Sequence, residues 1–154
     1  MQNQRLTPHF NLYDFLASET ALRYGIGNVP HDAAVITHLQ LLAEKLLEPV
    51  TARFETRPQI TSGYRCPALN EKVGGVATSQ HMSGQAVDFQ VPDVSLLEVA
   101  KWMAGALDYD QLLLERSKSE VWIHASYVGP AQNRRQLKWF DGQDWHQGLP
   151  EMLP

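Results

Sequence analysis

Cysteine is almost missing from this chain, with Cys66 the single one. One thiol cannot close an internal disulfide, so the fold does not depend on an oxidising compartment. Long apolar runs are missing as well. No stretch approaches the roughly 20 residues that a membrane-spanning helix needs, so membrane insertion is not expected. The opening MQNQRLTPHFNLYDF has no basic segment leading into an apolar one, and without such a signal the protein is expected to be made and folded in the cytoplasm. Positive charge is not concentrated anywhere. The thirteen Lys and Arg are scattered and the formal net charge is -4, which excludes nucleic acid and an anionic membrane surface as natural partners. Repeats and low-complexity tracts are also absent, which predicts one unit over residues 1–154, expected to be a monomer.

What is present suffices for a core: 44% of 154 residues are apolar, enough at this length to fold without a metal or disulfide staple. The first thirty residues form an arm that ends in the turn-rich GIGNVP, Gly25 to Pro30. Val35, Ile36, Leu39, Leu42, Leu46 and Leu47 then recur at helical spacing, which predicts a helix from Asp32 to Glu48 closed by Pro49. A second helix is predicted from Val94 to Leu107, where Ser95 and Glu98 make a capping-box pattern and Leu96, Val99, Met103 and Leu107 share a face. Four short segments read as strands: Gln59 to Ser62, Ala86 to Val91, Gln111 to Glu115 and Val121 to Ser126. Helices before and between strands, without regular alternation, predict an α+β domain with a small, mostly antiparallel sheet and flanking helices. The tail from Gly129 reads as ordered loop and short strand packed on the body.

Period-two alternation sorts the strand residues onto faces. Val87, Phe89 and Val91 share one face and leave Asp88 and Gln90 on the other. Val121, Ile123 and Ala125 likewise oppose Trp122, His124 and Ser126, while Gln111, Leu113 and Glu115 fall together. Two imidazoles and one carboxylate suit Zn2+, whose catalytic sites take three protein ligands and leave a fourth position open. His81, Asp88 and His124 make such a set, provided the SGQA segment bends back, and Gly84 supplies the freedom for that bend. Taken singly, each has a plainer role. A strand histidine is commonly a hydrogen-bonded core residue, and an aspartate after a turn is commonly a cap. The same ligand types also describe the iron site of non-haem oxygenases, but that chemistry usually needs a larger all-β barrel than four strands supply. His9, His31, His38 and His146 show no partner pattern, and no paired histidine motif accompanies Cys66.

The run ITSGYRCPALNEKVGGVATSQHMSGQAVDF, with the later YDQLLLE and WIHASY, resembles the zinc D-Ala-D-Ala carboxypeptidase and L-Ala-D-Glu endopeptidase family that acts on bacterial peptidoglycan, in its short phage or prophage form. The opening PHFNLYDFLASETALRYGIGNVP and the NRR of Asn133 to Arg135 fit the same resemblance, so it covers most of the chain. It implies a Hedgehog/D-Ala-D-Ala peptidase-like fold, with His81, Asp88 and His124 as zinc ligands and peptidoglycan stem peptides as substrate. It implies that Arg65 holds a substrate carbonyl or carboxylate and steadies the oxyanion, which suits a guanidinium that never loses its proton. Ser79, Gln80 and Trp122 flank the ligands and are expected to meet substrate, or in the case of Ser79 and Gln80 to shape the turn.

One departure is plain. Many relatives carry an acidic general base three positions before the last histidine, where this chain has Val121, and others a histidine two before, where it has Trp122. Glu120 lies four before, roughly 13 Å along a regular strand, so Glu115 is the expected base and Glu120 the alternative. The activity implied is zinc-dependent hydrolysis of stem-peptide amide bonds, acting on the wall after release, as in phage lysis. A missing acid at Val121 keeps open a different class, a metal-containing binding or structural module without turnover, as in Hedgehog signalling domains.

Overall fold

The computed structural model describes residues 1–153. The N-terminal arm holds four short elements. Strands β1 (Arg5–Thr7) and β2 (Phe10–Asn11) pair antiparallel. Helix α1 (Leu12–Leu16) follows, opened by a capping box in which the Asn11 N–H donates to the Asp14 carboxylate. Helix α2 (Glu19–Arg23) starts where the Ser18 hydroxyl accepts from the Ala21 N–H. Each cap satisfies an amide left without a partner in the first turn, so helices this short can form.

The long amphipathic pattern is a single rod with a different end from the one its proline predicts. Helix α3 (Ala33–Leu42), capped by Asp32, runs through a π-helical stretch, Ala43–Leu47, into α4 (Glu48–Phe54). Pro49 therefore does not end it. Its ring lacks an N–H and would collide with a carbonyl one α-turn back, and the wider π turn just before it relieves that conflict. Glu55, in the left-handed region at φ 51°, closes the rod instead.

After β3 (Gln59–Ser62) come α5 (Pro67–Lys72), a 3₁₀ turn at Gln80–Ser83, β4 (Ala86–Gln90), α6 (Leu96–Ala106), β5 (Gln111–Arg116), β6 (Val121–Ser126), β7 (Gln136–Phe140) and β8 (Trp145–Gln147). Helix α6 begins one residue after Ser95, whose hydroxyl accepts from the Glu98 N–H. The fold is mixed α/β. Its main sheet has six strands in the order β3-β4-β6-β5-β7-β8 and is itself mixed, because β7 runs parallel to β5 while the other pairings are antiparallel. The two strands beyond the expected four lie in the tail, where β7 pairs with a strand more than twenty residues away. A cross-chain pairing of that kind leaves no local turn signature. No helix among the described residues is long and apolar enough to cross a membrane.

The two faces of the sheet divide as the alternation requires. Val87, Phe89, Leu112, Leu114, Ile123 and Ala125 are buried in one apolar cluster with Leu39, Leu42, Leu46 and Leu47 of the rod and Val99 and Met103 of α6. Burying each large side chain is worth about 1.5–3 kcal/mol. A one-residue slip of β4 or β6 would turn that whole set outward, so the core fixes the register. Register in turn decides what meets on the opposite face.

Candidate metal centre

On that opposite face Ser62, Asp88, His124 and Leu113 form one cross-strand row, since Ser62 pairs with Asp88, Asp88 with His124 and Leu113 with His124. Glu115 and Trp122 pair in the next row. The third ligand-bearing element is the 3₁₀ turn. It brings His81 over the row, so that one ligand-capable atom each from His81, Asp88 and His124 lies within 4.8 Å of the others. His124 Nδ1 lies 2.8 Å from Asp88 Oδ1, where a bound cation would replace the proton the two atoms share, and His81 Nε2 lies 3.4 Å from Asp88 Oδ2. The two rings meet edge to face with centroids 5.2 Å apart.

Hydrogen bonding also selects the atom that His81 presents. Its Nδ1 sits 2.7 Å from the carbonyl oxygen of Gly63. A carbonyl only accepts, so Nδ1 carries the proton and the Nε2 lone pair points toward Asp88. Two nitrogens and a carboxylate oxygen converging in a buried spot are the donor set of a catalytic zinc site, and this chain's residues fit that ion.

Backbone geometry holds the turn in place. The Arg65 N–H donates to the carbonyl of His81 at 3.1 Å, and His38 of α3 places its Nδ1 2.8 Å from the carbonyl of Ser83. Ser79 caps the turn, its hydroxyl accepting from the His81 N–H. Gly84 ends it at φ 73°, and a Cβ there would stand 2.7 Å from the Val35 carbonyl oxygen. Gly84→Ala therefore combines left-handed strain with a clash against helix backbone. It is expected to cost about 1–3 kcal/mol or more, seen as a lower urea midpoint at unchanged slope, together with weaker metal capture.

Arg65 meets the cluster at the same Asp88 oxygen as His81: its Nε donates to the Ser62 hydroxyl at 3.0 Å, and its Nη2 lies 3.5 Å from Asp88 Oδ2. Burial lowers the Arg65 pKa, and the charges of Asp88 and Glu115 push it back up. Burial by itself would raise the Asp88 carboxyl, but hydrogen bonds from His124 and His81 and their charge hold it far below its ordinary value. Glu115 is half-buried, and that burial raises its pKa; His124 and Arg65 pull down and Asp88 pushes up. Those couplings place Glu115 within electrostatic reach of His124, Asp88 and Arg65. Glu120 is exposed, in the Ser117–Glu120 turn. A cleft of about 840 Å³ runs between the arm and β3, lined by Ser18, Glu19, Thr61, Ser62, Arg65 and Glu120 among others, and it reaches the cluster at Arg65.

Of the other residues singled out in the sequence, Trp122 is half-buried on the site face, and the Gln80 side-chain amide donates to Asp110 at 2.9 Å. Cys66 is buried, with its N–H donating to Asn28. His9 and His146 pair with Glu48 and Asp141. Sequence patterns gave no sign of the Gly63 carbonyl or of His38 as supports, because both act through contacts far along the chain. The glycine of SGYR was the one available clue: a Cβ on Gly63 would collide with Phe15 backbone, 2.4 Å from its carbonyl oxygen.

A family model described as Peptidase M15 matches residues 8–126, a span that holds His81, Asp88, His124, Arg65 and Glu115. No curated protein matches the chain.

Proposed function

Because the chain belongs to the Peptidase M15 family, we propose that it is a zinc-dependent peptidase that hydrolyses amide bonds in the peptidoglycan stem peptide, as a D-Ala-D-Ala carboxypeptidase or an endopeptidase. The observation that carries the proposal is the convergence of His81, Asp88 and His124 within 4.8 Å. In this proposal residues 1–154 form a single zinc peptidase domain of Hedgehog/D-Ala-D-Ala peptidase-like fold. It acts as a monomer on the wall, in the setting of phage lysis that the resemblance suggests.

His81, Asp88 and His124 hold the ion. When bound, Zn2+ supplies Lewis acidity and brings the pKa of water toward neutrality. Glu115 takes a proton from the attacking water as the new C–O bond forms, then delivers it to the amine nitrogen as the C–N bond breaks. Its raised pKa makes it a stronger base for the first half of that transfer than an ordinary glutamate. The Arg65 guanidinium donates to the oxygen on which negative charge gathers. Its bond to Ser62 keeps it in place without an added loop. The cleft that Arg65 lines would take the peptide, and Ser79 and Trp122, beside the metal ligands and outside the cleft lining, would meet it there.

Digesting purified sacculi with the protein, with and without a chelator, and identifying the fragments by mass spectrometry tests the proposal. Release of stem-peptide fragments that stops on chelation and returns with added zinc is expected; fragment patterns identical with and without chelator count against it. The second reading, a metal-containing module that binds without turnover, draws on Val121 standing where many relatives have an acid. It predicts zinc binding and sacculus binding with no fragments at all.

A further inference from the structure

One buried carboxylate outside the metal cluster is tied to the neighbours of two of its ligands. Asp110, in the loop between α6 and β5, is 1% exposed. Its side chain accepts from Gln80 Nε2 at 2.9 Å and from the Arg134 N–H, Nε and Nη2 at 2.9, 2.9 and 2.7 Å, with the Ser126 hydroxyl 3.5 Å away. Its own N–H donates to the Ser126 carbonyl at 2.8 Å. Gln80 immediately precedes His81, and Ser126 lies two residues beyond His124 on the same face. Arg134 lies outside the span matched by the family model.

We infer that Gln80, Asp110 and Arg134 are positioning residues of the metal centre: Asp110 locks the His81 turn to the His124 strand through the Gln80 amide, and Arg134 supplies the counter-charge that lets it stay ionised in a buried place. This rests on the metal reading above but not on the peptidase reaction. A buried ion pair is weak support for stability on its own account, since desolvation offsets most of its attraction. Its effect here lies in direction. Three of Asp110's four short contacts come from Arg134, whose side chain is half-exposed, and the fourth goes to the turn that carries a ligand. Without that fourth contact the His81 turn keeps its cap, its bonds to Arg65 and His38 and the Tyr127 N–H to Gln85 carbonyl bond that ties its C-terminal end to β6, but its Gln80 side chain no longer anchors it to Asp110 just before β5.

The consequence is a loss of metal affinity from residues that touch no metal. Outer partners of metal ligands typically contribute 10–100-fold to affinity. Gln80→Met, which keeps length and volume and removes the amide, is expected to weaken zinc binding 10–100-fold in competition with a chromophoric chelator. The melting temperature of the metal-free protein should change little, because Arg134 still satisfies Asp110. Arg134→Gln removes the counter-charge of a buried carboxylate and is expected to lower the melting temperature; in the folded protein it should weaken zinc binding in the same direction, and Arg134→Lys, which keeps the charge, should restore part of both. If Gln80 instead only touches substrate, Gln80→Met raises KM and leaves zinc affinity at the wild-type value, which overturns the inference. Wild-type affinity in both Gln80→Met and Arg134→Gln also overturns it, and if Gln80→Met fails to fold then Arg134→Gln decides alone. A wild-type protein that binds no zinc sinks this inference and the proposed function together. One that binds zinc but releases nothing from sacculi sinks only the peptidase.

Discussion

Glu115→Gln is expected to lower kcat by about 10²–10⁴-fold, the usual contribution of a positioned general base, while zinc content stays as in the wild type. The substitution keeps the shape of a half-buried side chain on β5 and removes only its capacity to carry a proton. A fall in kcat with KM nearly unchanged marks an interaction used in the transition state rather than in binding. The pH dependence has a sign that follows from the environment. Burial raises the Glu115 pKa, and the base works only when ionised. The acid limb of kcat/KM should therefore fall away at a pH above that of an ordinary glutamate and should be missing from the residual activity of the Gln variant. Glu120→Gln is the comparison variant, because Glu120 is the other candidate base; it sits in the turn between β5 and β6 and lines the proposed substrate cleft, so an effect on KM with kcat retained is expected. Should Glu120→Gln abolish activity and Glu115→Gln leave it intact, the assignment of the base is wrong. Should neither matter, the non-catalytic reading gains.

The second large effect is expected from Asp88→Asn. An amide oxygen can still accept from His124 Nδ1, so the β4–β6 pairing and the fold should survive. What disappears is the negative charge that faces two imidazoles and Arg65. Zinc retained by the wild-type protein through gel filtration should be lost from the variant, and hydrolysis should fall to background. The structural control is near-ultraviolet circular dichroism of the metal-free proteins, which should superimpose. Full zinc retention by Asp88→Asn would show that the carboxylate is not a ligand.

Much of the site was legible because it depends on strands with strict alternation. VWIHAS and QITS have the bounds of β6 and β3, and AVDFQV overruns β4 by one residue. Once Val87, Phe89, Ile123 and Ala125 are assigned to the core, Asp88 and His124 must face the other way. What alternation cannot give is register between strands, and it is register that puts Asp88 directly opposite His124. The rod from α3 to α4 was legible in its apolar stripe but not in its end, since a π turn that absorbs a proline has no signature in hydrophobic spacing. Helices α1, α2 and α5 are five or six residues long, too short for periodicity to register. Their caps at Asn11 and Ser18 and the proline that opens α5 at Pro67 were the available signals. The Gln80–Asp110–Arg134 link joins residues 24 to 30 positions apart through side chains that otherwise read as surface polar groups. Only three-dimensional structure brings them together.

The account as a whole depends on where the ion sits. A crystal structure of the zinc-loaded protein, with anomalous differences collected across the zinc edge, gives that position directly. The predicted result is a single peak among His81 Nε2, His124 Nδ1 and the Asp88 carboxylate, with Arg65 and Glu115 alongside. A peak held by other side chains, or none with zinc in excess, would contradict it.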